Sequence, residues 1–161
     1  MQVLWAPWRM AYVGGPKAAG CIFCTGLTTP DLRAALVLAQ HPALVMLNRF
    51  PYISGHLMVA PPRHVADLHA LPIDEFQTLM GALQRTATLL ADAYHPDGMN
   101  IGLNLGAAAG AGVADHLHWH LVPRWSGDTN FMPMLAEVRV IPEHLDATYE
   151  RLRPLFTPPA T

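Results

Sequence analysis

Charge is scarce in this chain. Charged residues make up 14% of 161, and the formal net charge is −2 with histidine neutral. No basic run or stripe stands out, which argues against general nucleic-acid binding. Apolar residues reach 52%, yet no run approaches the roughly 18–20 residues of a membrane span. Residues 1–13 show no basic region followed by an apolar block, so no signal peptide is expected and a cytoplasmic location is. Cysteine is limited to Cys21 and Cys24. In a reducing compartment a pair three apart suggests metal or redox chemistry more than a structural disulfide. Fifteen prolines and many alanines look like a compositional habit. The length gives room for a real core. No repeat or linker interrupts it, so one α+β domain is expected over 1–161, with 1–20 as an arm and 157–161 as a flexible tail.

Histidine, by contrast, is concentrated. Three of the nine histidines, His116, His118 and His120, alternate with Leu117, Trp119 and Leu121 within D-H-L-H-W-H-L-V-P-R-W, residues 115–125. On a β-strand this pattern puts three imidazoles on one face and three apolar groups on the other. On a helix, neighbours of this spacing would sit about 200° apart and share nothing.

The rest of the chain supplies a frame for that strand. Trp5 and Trp8 mark an apolar arm, and G-G-P-K-A-A-G leads to Cys21-Ile22-Phe23-Cys24. The next residues, T-G-L-T-T-P-D-L, are turn-like, unlike the setting of a thioredoxin-type pair. Zinc on the two cysteines would need two further ligands from elsewhere; two plain buried cysteines are the alternative. Residues 33–39 and 43–48 read as a hairpin, and 56–60 as another strand. Residues 71–94 form the long helix, with Pro72 at its start, Asp74 and Glu75 in its first turn and Pro96 past its end. Phe76, Leu79, Met80, Leu83, Ala87 and Leu90 make its core stripe. Residues 99–106 alternate as a half-buried strand. The small, Gly-rich loop A-A-A-G-A-G-V-A-D then offers backbone N–H groups to an anion. Residues 125–133 read as loop and 142–156 as a closing helix.

Three uses of the histidine face compete. A three-histidine metal site would leave the cysteines unexplained and needs no Gly-rich loop. A cupin-type pocket lacks a suitably placed glutamate. Imidazole catalysis at phosphorus uses both loop and histidines: the loop holds phosphate, one histidine attacks, and a neighbour hydrogen-bonds the leaving oxygen. Buried structural histidines would account for one or two of the three.

Three segments, N-R-F-P-Y-I-S-G-H-L-M-V-A-P-P-R-H (48–64), N-L-G-A-A-A-G-A-G-V-A-D-H-L-H-W-H (104–120) and V-P-R-W-S-G-D-T-N-F (122–131), together resemble the histidine triad (HIT) nucleotide hydrolases and transferases. The latter two are similar to the branch containing bacterial diadenosine tetraphosphate phosphorylases. The resemblance implies a HIT fold, an antiparallel sheet of about five strands with one long helix and a C-terminal helix, and a homodimer. It implies that His118 is the nucleophile, that His120 contacts and protonates the leaving oxygen, and that His56 supports them. Asn48 would bind ribose, and Asn104 with the backbone of Gly110, Gly112 and Val113 the α-phosphate. Trp125 is a candidate pocket wall or a half-buried surface aromatic. Many family members with a C-x-x-C pair bind structural zinc, and the resemblance assigns Cys21, Cys24, His64 and His116 to it, without Asp115. The residues require no divalent metal for the chemical step, although magnesium on the substrate is compatible with them. The expected partner is a purine nucleotide or dinucleoside polyphosphate, with neither nucleic acid nor membrane. Better-known hydrolases of the family carry a Ser or Thr a few residues before the first histidine. Here Gly110-Ala111-Gly112-Val113 is one residue longer and has no hydroxyl, which favours phosphorolysis over hydrolysis or phosphoramidate cleavage. A nucleotide-binding interaction module is the non-enzymatic alternative.

Overall fold

A computed structural model describes residues 20–128 and 143–157. The N-terminal arm, most of the expected tail, the end of the 125–133 loop and the start of the closing helix lie outside the described residues. Five strands form one antiparallel sheet: β1 (Val37–Ala39), β2 (Leu44–Leu47), β3 (Leu57–Ala60), β4 (Gly98–Leu103) and β5 (Trp119–Arg124). Their order is β1-β2-β3-β5-β4, so β5 lies inside the sheet and β4 at an edge. The expected hairpin is β1–β2, with a register irregularity between Val37 and Ala39.

Registers decide what each face carries. Met46 pairs with Met58, and Met58 with His120. Because side chains alternate, the even-numbered residues of β2, β3 and β5 share one face and the odd-numbered ones the other. The odd face holds Val45, Leu47, Leu57, Val59, Leu117, Trp119 and Leu121, all buried in the main core. Helix α2 (Ile73–Tyr94) contributes Leu79 and Leu90 to that core, with Phe76, Met80, Leu83 and Ala87 packed against it. The expected stripe is thus the helix's buried side. His95 ends α2 in a left-handed conformation (φ 44°), its N–H on the Ala91 carbonyl, and Pro96 comes next. Helix α3 (Leu145–Leu152) closes the same layer through Tyr149 and Leu152.

The even face carries a smaller core of Phe23, Val37, Leu44, Met46, Met58 and Ala60. It is covered in part by helix α1 (Ile22–Thr28), where a turn-like segment was expected. Tertiary packing overrides the weak helical propensity of this Gly- and Thr-containing stretch. Gly26 is the reason the helix fits: a Cβ there would meet Leu44 side-chain carbons at 3.2 and 3.3 Å and Val37 at 3.4 Å. Among the described residues no helix is long and apolar enough to cross a membrane.

Candidate active site and metal cluster

The histidine stretch is extended as expected, but β5 begins only at Trp119. Continuing the β3–β5 register past Trp119 would bring Leu117 and His116 opposite Pro61 and Pro62. Proline has no N–H to give, so the ladder stops there. Instead the Leu117 N–H donates to the Val65 carbonyl (2.8 Å), and the His116 Nε2–H donates to the Pro61 carbonyl (3.0 Å). His116, His118 and His120 still share the even face. Five rings run in series along it, with centroid separations of 4.7 Å (Phe23–His118), 5.0 Å (His118–His120), 5.1 Å (His120–His56) and 4.6 Å (His56–Tyr52).

Backbone partners set the tautomers, because an amide N–H can only donate and a carbonyl only accept. The Tyr52 N–H donates to His56 Nδ1 (3.1 Å), so neutral His56 carries its proton on Nε2. That proton is given to His120 Nδ1 at 2.9 Å. Neutral His120 therefore carries its own proton on Nε2, available to an oxygen. His118 is the reverse case: its Nδ1–H donates to the His116 carbonyl at 2.9 Å, which leaves the Nε2 lone pair for attack. Burial lowers the His118 pKa, opposed by that hydrogen bond. Burial, with the nearby His118, lowers His120 to about 4. Both rings are thus neutral near pH 7, the form a nucleophile and a neutral proton donor require.

A second cluster adjoins the first. His116 Nδ1 lies 3.3 Å from Cys21 Sγ and 3.7 Å from Cys24 Sγ, and His64 Nδ1 lies 3.3 Å from Cys24 Sγ. The four ligand atoms fall within 4.8 Å of one another. Zinc at ~2.3 Å from sulfur and ~2.0–2.1 Å from nitrogen gives tetrahedral edges of about 3.3–3.8 Å, the range in which these three sulfur–nitrogen separations fall. The hydrogen bond from His116 Nε2 to Pro61 presents Nδ1 to the cysteines, as an outer partner of a metal-bound imidazole does. Cys21 is the N-cap of α1 and Cys24 lies in its first turn, and the Phe23 ring between them lies tilted against both His116 and His118.

The remaining expected residues divide. Asn48 is beside the histidines, its N–H on the His56 carbonyl (3.0 Å) and its Oδ1 accepting from the Phe50 N–H (2.9 Å). Extending the β4–β5 register one step sets Asn104 opposite His118. Gly110 departs from its expected role as a donor. It closes a 3₁₀ turn at φ 89°, with its N–H spent on the Ala107 carbonyl at 3.0 Å. Among the described residues the Gly112 and Val113 N–H groups have no hydrogen-bond acceptor, while Val113 packs its side chain on the even-face core. Trp125 does not join the histidines. It lies past the end of β5, edge-on to Tyr94 of α2 at 6.3 Å. Gly102, not singled out from the sequence, pairs with His120, and a Cβ there would meet nothing within 4 Å. It leaves the sheet open beside His120. The signal for it was the alternation of β4 itself. Two surface clefts lie elsewhere: Arg63 and Glu75, which pair with each other, line one, and Arg33, Arg49 and His144 line the other.

An alternating histidine strand, tautomers fixed by backbone partners and an adjacent Cys₂His₂ cluster together define a histidine-triad site. A HIT domain model matches residues 30–127. The chain belongs to the HIT family. It is 38% identical over 157 residues to the AP-4-A phosphorylase of Mycobacterium tuberculosis, covering 92% of this chain and 80% of that protein. It is 29% identical over 121 residues to a bis(5'-adenosyl)-triphosphatase of Dictyostelium discoideum, covering 71% of this chain and 80% of that one. A Zn-bound histidine triad family protein from Mycobacterium smegmatis superposes with a TM-score of 0.66 at 26% identity, covering 85% of this chain and 93% of that chain.

Proposed function

We propose that this protein is a nucleotidyltransferase acting on dinucleoside polyphosphates through a covalent nucleotidyl-His118 intermediate, with phosphorolysis of diadenosine tetraphosphate as its reaction. The observation that carries the reading is the opposed tautomers of two neighbouring rings, His118 with a lone pair on Nε2 and His120 with a proton there. The Nε2 lone pair of His118 forms a bond to the α-phosphorus as the bond from phosphorus to the leaving polyphosphate oxygen breaks. His120 gives its Nε2 proton to that oxygen, and His56 holds His120 in the required tautomer. In the second half-reaction an oxygen of inorganic phosphate attacks the same phosphorus and His118 leaves. Splitting one displacement into two lets a single apparatus serve both.

Asn48 is assigned to the ribose. Asn104 and the N–H groups of Gly112 and Val113 are assigned to the α-phosphate, as backbone donors aimed at developing charge. Cys21, Cys24, His64 and His116 would hold a structural zinc that cross-links α1 to the histidine segment. A homodimer joined along the exposed edge of β4 completes the proposal, since an edge strand presents unpaired backbone groups to a second copy.

Support for phosphorolysis comes from the mycobacterial phosphorylase relative and from a loop, residues 107–115, without a hydroxyl. The Dictyostelium relative favours the alternative, in which water is the second acceptor. Product analysis with diadenosine tetraphosphate separates them. ADP and ATP appearing only with inorganic phosphate is the expected result. AMP and ATP in either condition would make the protein a hydrolase. AMP from adenosine phosphoramidate, with no turnover of the tetraphosphate, would make it a phosphoramidase.

A further inference from the structure

The five-ring series has two unlike ends. Phe23, at the His118 end, is fully buried in the even-face core, whereas Tyr52, beyond His56, is 42% exposed. His120 lies between, with its donor proton on Nε2. The leaving oxygen must meet that proton, so the leaving half of the substrate departs from the His120 side of the nucleophile, toward the exposed end of the series. The Tyr52 ring is there, 6.3 Å from His120 between centroids, and inclined 31° to His56 at 4.6 Å. It is well anchored: its own N–H bonds His56 Nδ1, and Pro51 before it is buried. Phe50, two residues back, is 37% exposed. An aromatic face suits contact with a base or ribose, and a phenol suits a phosphate oxygen.

We infer that Tyr52 contacts the leaving nucleotide and sets the preference for substrates that carry one, an inference that rests on the nucleotidyl-transfer reading. It is distinct from His56, which acts on the proton donor. The two roles separate by leaving group. Diadenosine tetraphosphate releases a nucleotide, whereas adenosine phosphoramidate presents the same adenylyl group with only ammonia to leave.

The test is steady-state kinetics of the wild-type chain, Tyr52→Ala and Tyr52→Phe on both substrates. Tyr52→Ala is expected to lower kcat/KM for the tetraphosphate about tenfold, the scale of one base–aromatic contact, while the phosphoramidate value stays within about twofold. Tyr52→Phe reports which part of the side chain is used: recovery means the ring, and persistence of the defect means the phenol. Equal losses on both substrates would overturn the inference and make Tyr52 a brace for His56. No loss on either would overturn it as well. Wild-type protein inert toward both would instead overturn the functional reading on which it stands.

Discussion

The two faces of the sheet are built from alternate residues of the same three strands, yet they differ in almost every physical respect. The odd face is aliphatic and aromatic, closed by α2 and α3, and holds the bulk of the buried apolar volume. The even face is half core and half imidazole, covered by a seven-residue helix at one end and open beside Gly102 at the other. Stability and chemistry are thereby separated by a single step along the chain. A one-residue slip of β5 would exchange them, placing Leu117, Trp119 and Leu121 in the site and three imidazoles in the core. The backbone bond from the Leu117 N–H to the Val65 carbonyl and the side-chain bond from His116 Nε2–H to the Pro61 carbonyl pin that register beyond the end of the ladder.

Substitutions on the two faces should fail in different ways. The largest effect is expected from His118→Ala. Turnover of diadenosine tetraphosphate should fall by about 10⁴-fold or more, as for loss of a covalent nucleophile, with the melting temperature little changed and nucleotide still bound. Retained turnover, or a labelled adduct on another residue, would break the assignment. His120→Asn should cost about 10²–10⁴-fold. The loss should shrink for an adenylyl substrate whose leaving group needs no proton. An equal loss with such a substrate would show that His120 does something other than donate.

On the odd face the expected defect is thermodynamic. Leu121→Ala, at a fully buried position, should destabilise by about 2–5 kcal/mol in denaturant titration, while the folded fraction keeps near-normal KM. Loss of activity at unchanged stability would blur the division between faces. The smallest effect is on pH dependence. His120 titrates near 4 in the folded chain and near 6.5 unfolded. The unfolded state therefore binds the extra proton between those values, and stability declines as pH falls from about 6.5 to about 4. His120→Asn should flatten that limb and leave stability above pH 7 unaltered; an unchanged limb would mean that other groups dominate it.

Much of this arrangement is legible from residue spacing. The alternation at 116–121 gives the two faces, the stripe from Phe76 to Leu90 gives the helix, and Pro72 and Pro96 bracket it. Other features depend on contacts between distant segments. Helix α1 forms because Gly26 seats against Leu44 and Val37, and local propensity alone favours a turn. The N–H of Gly110 is spent inside its own 3₁₀ turn, a consequence of backbone conformation that the residue name does not reveal. Trp125 comes soon after the histidines in sequence, yet it packs on Tyr94, because β5 carries it past the site. Tautomers are the least legible of all, since they depend on which backbone groups of residues 52 and 116 meet the rings.

One of those backbone groups bears on how the two clusters respond to substitution. The proton on His118 Nδ1 is received by the main-chain carbonyl of residue 116, not by its side chain. Every amino acid supplies that carbonyl. The imidazole of His116 answers instead to the two cysteines and His64. Substitution within the cysteine–histidine cluster therefore does not delete the acceptor that orients His118. Replacing Cys21, Cys24 or His64 removes a candidate metal ligand and leaves in place the carbonyl that fixes the His118 tautomer.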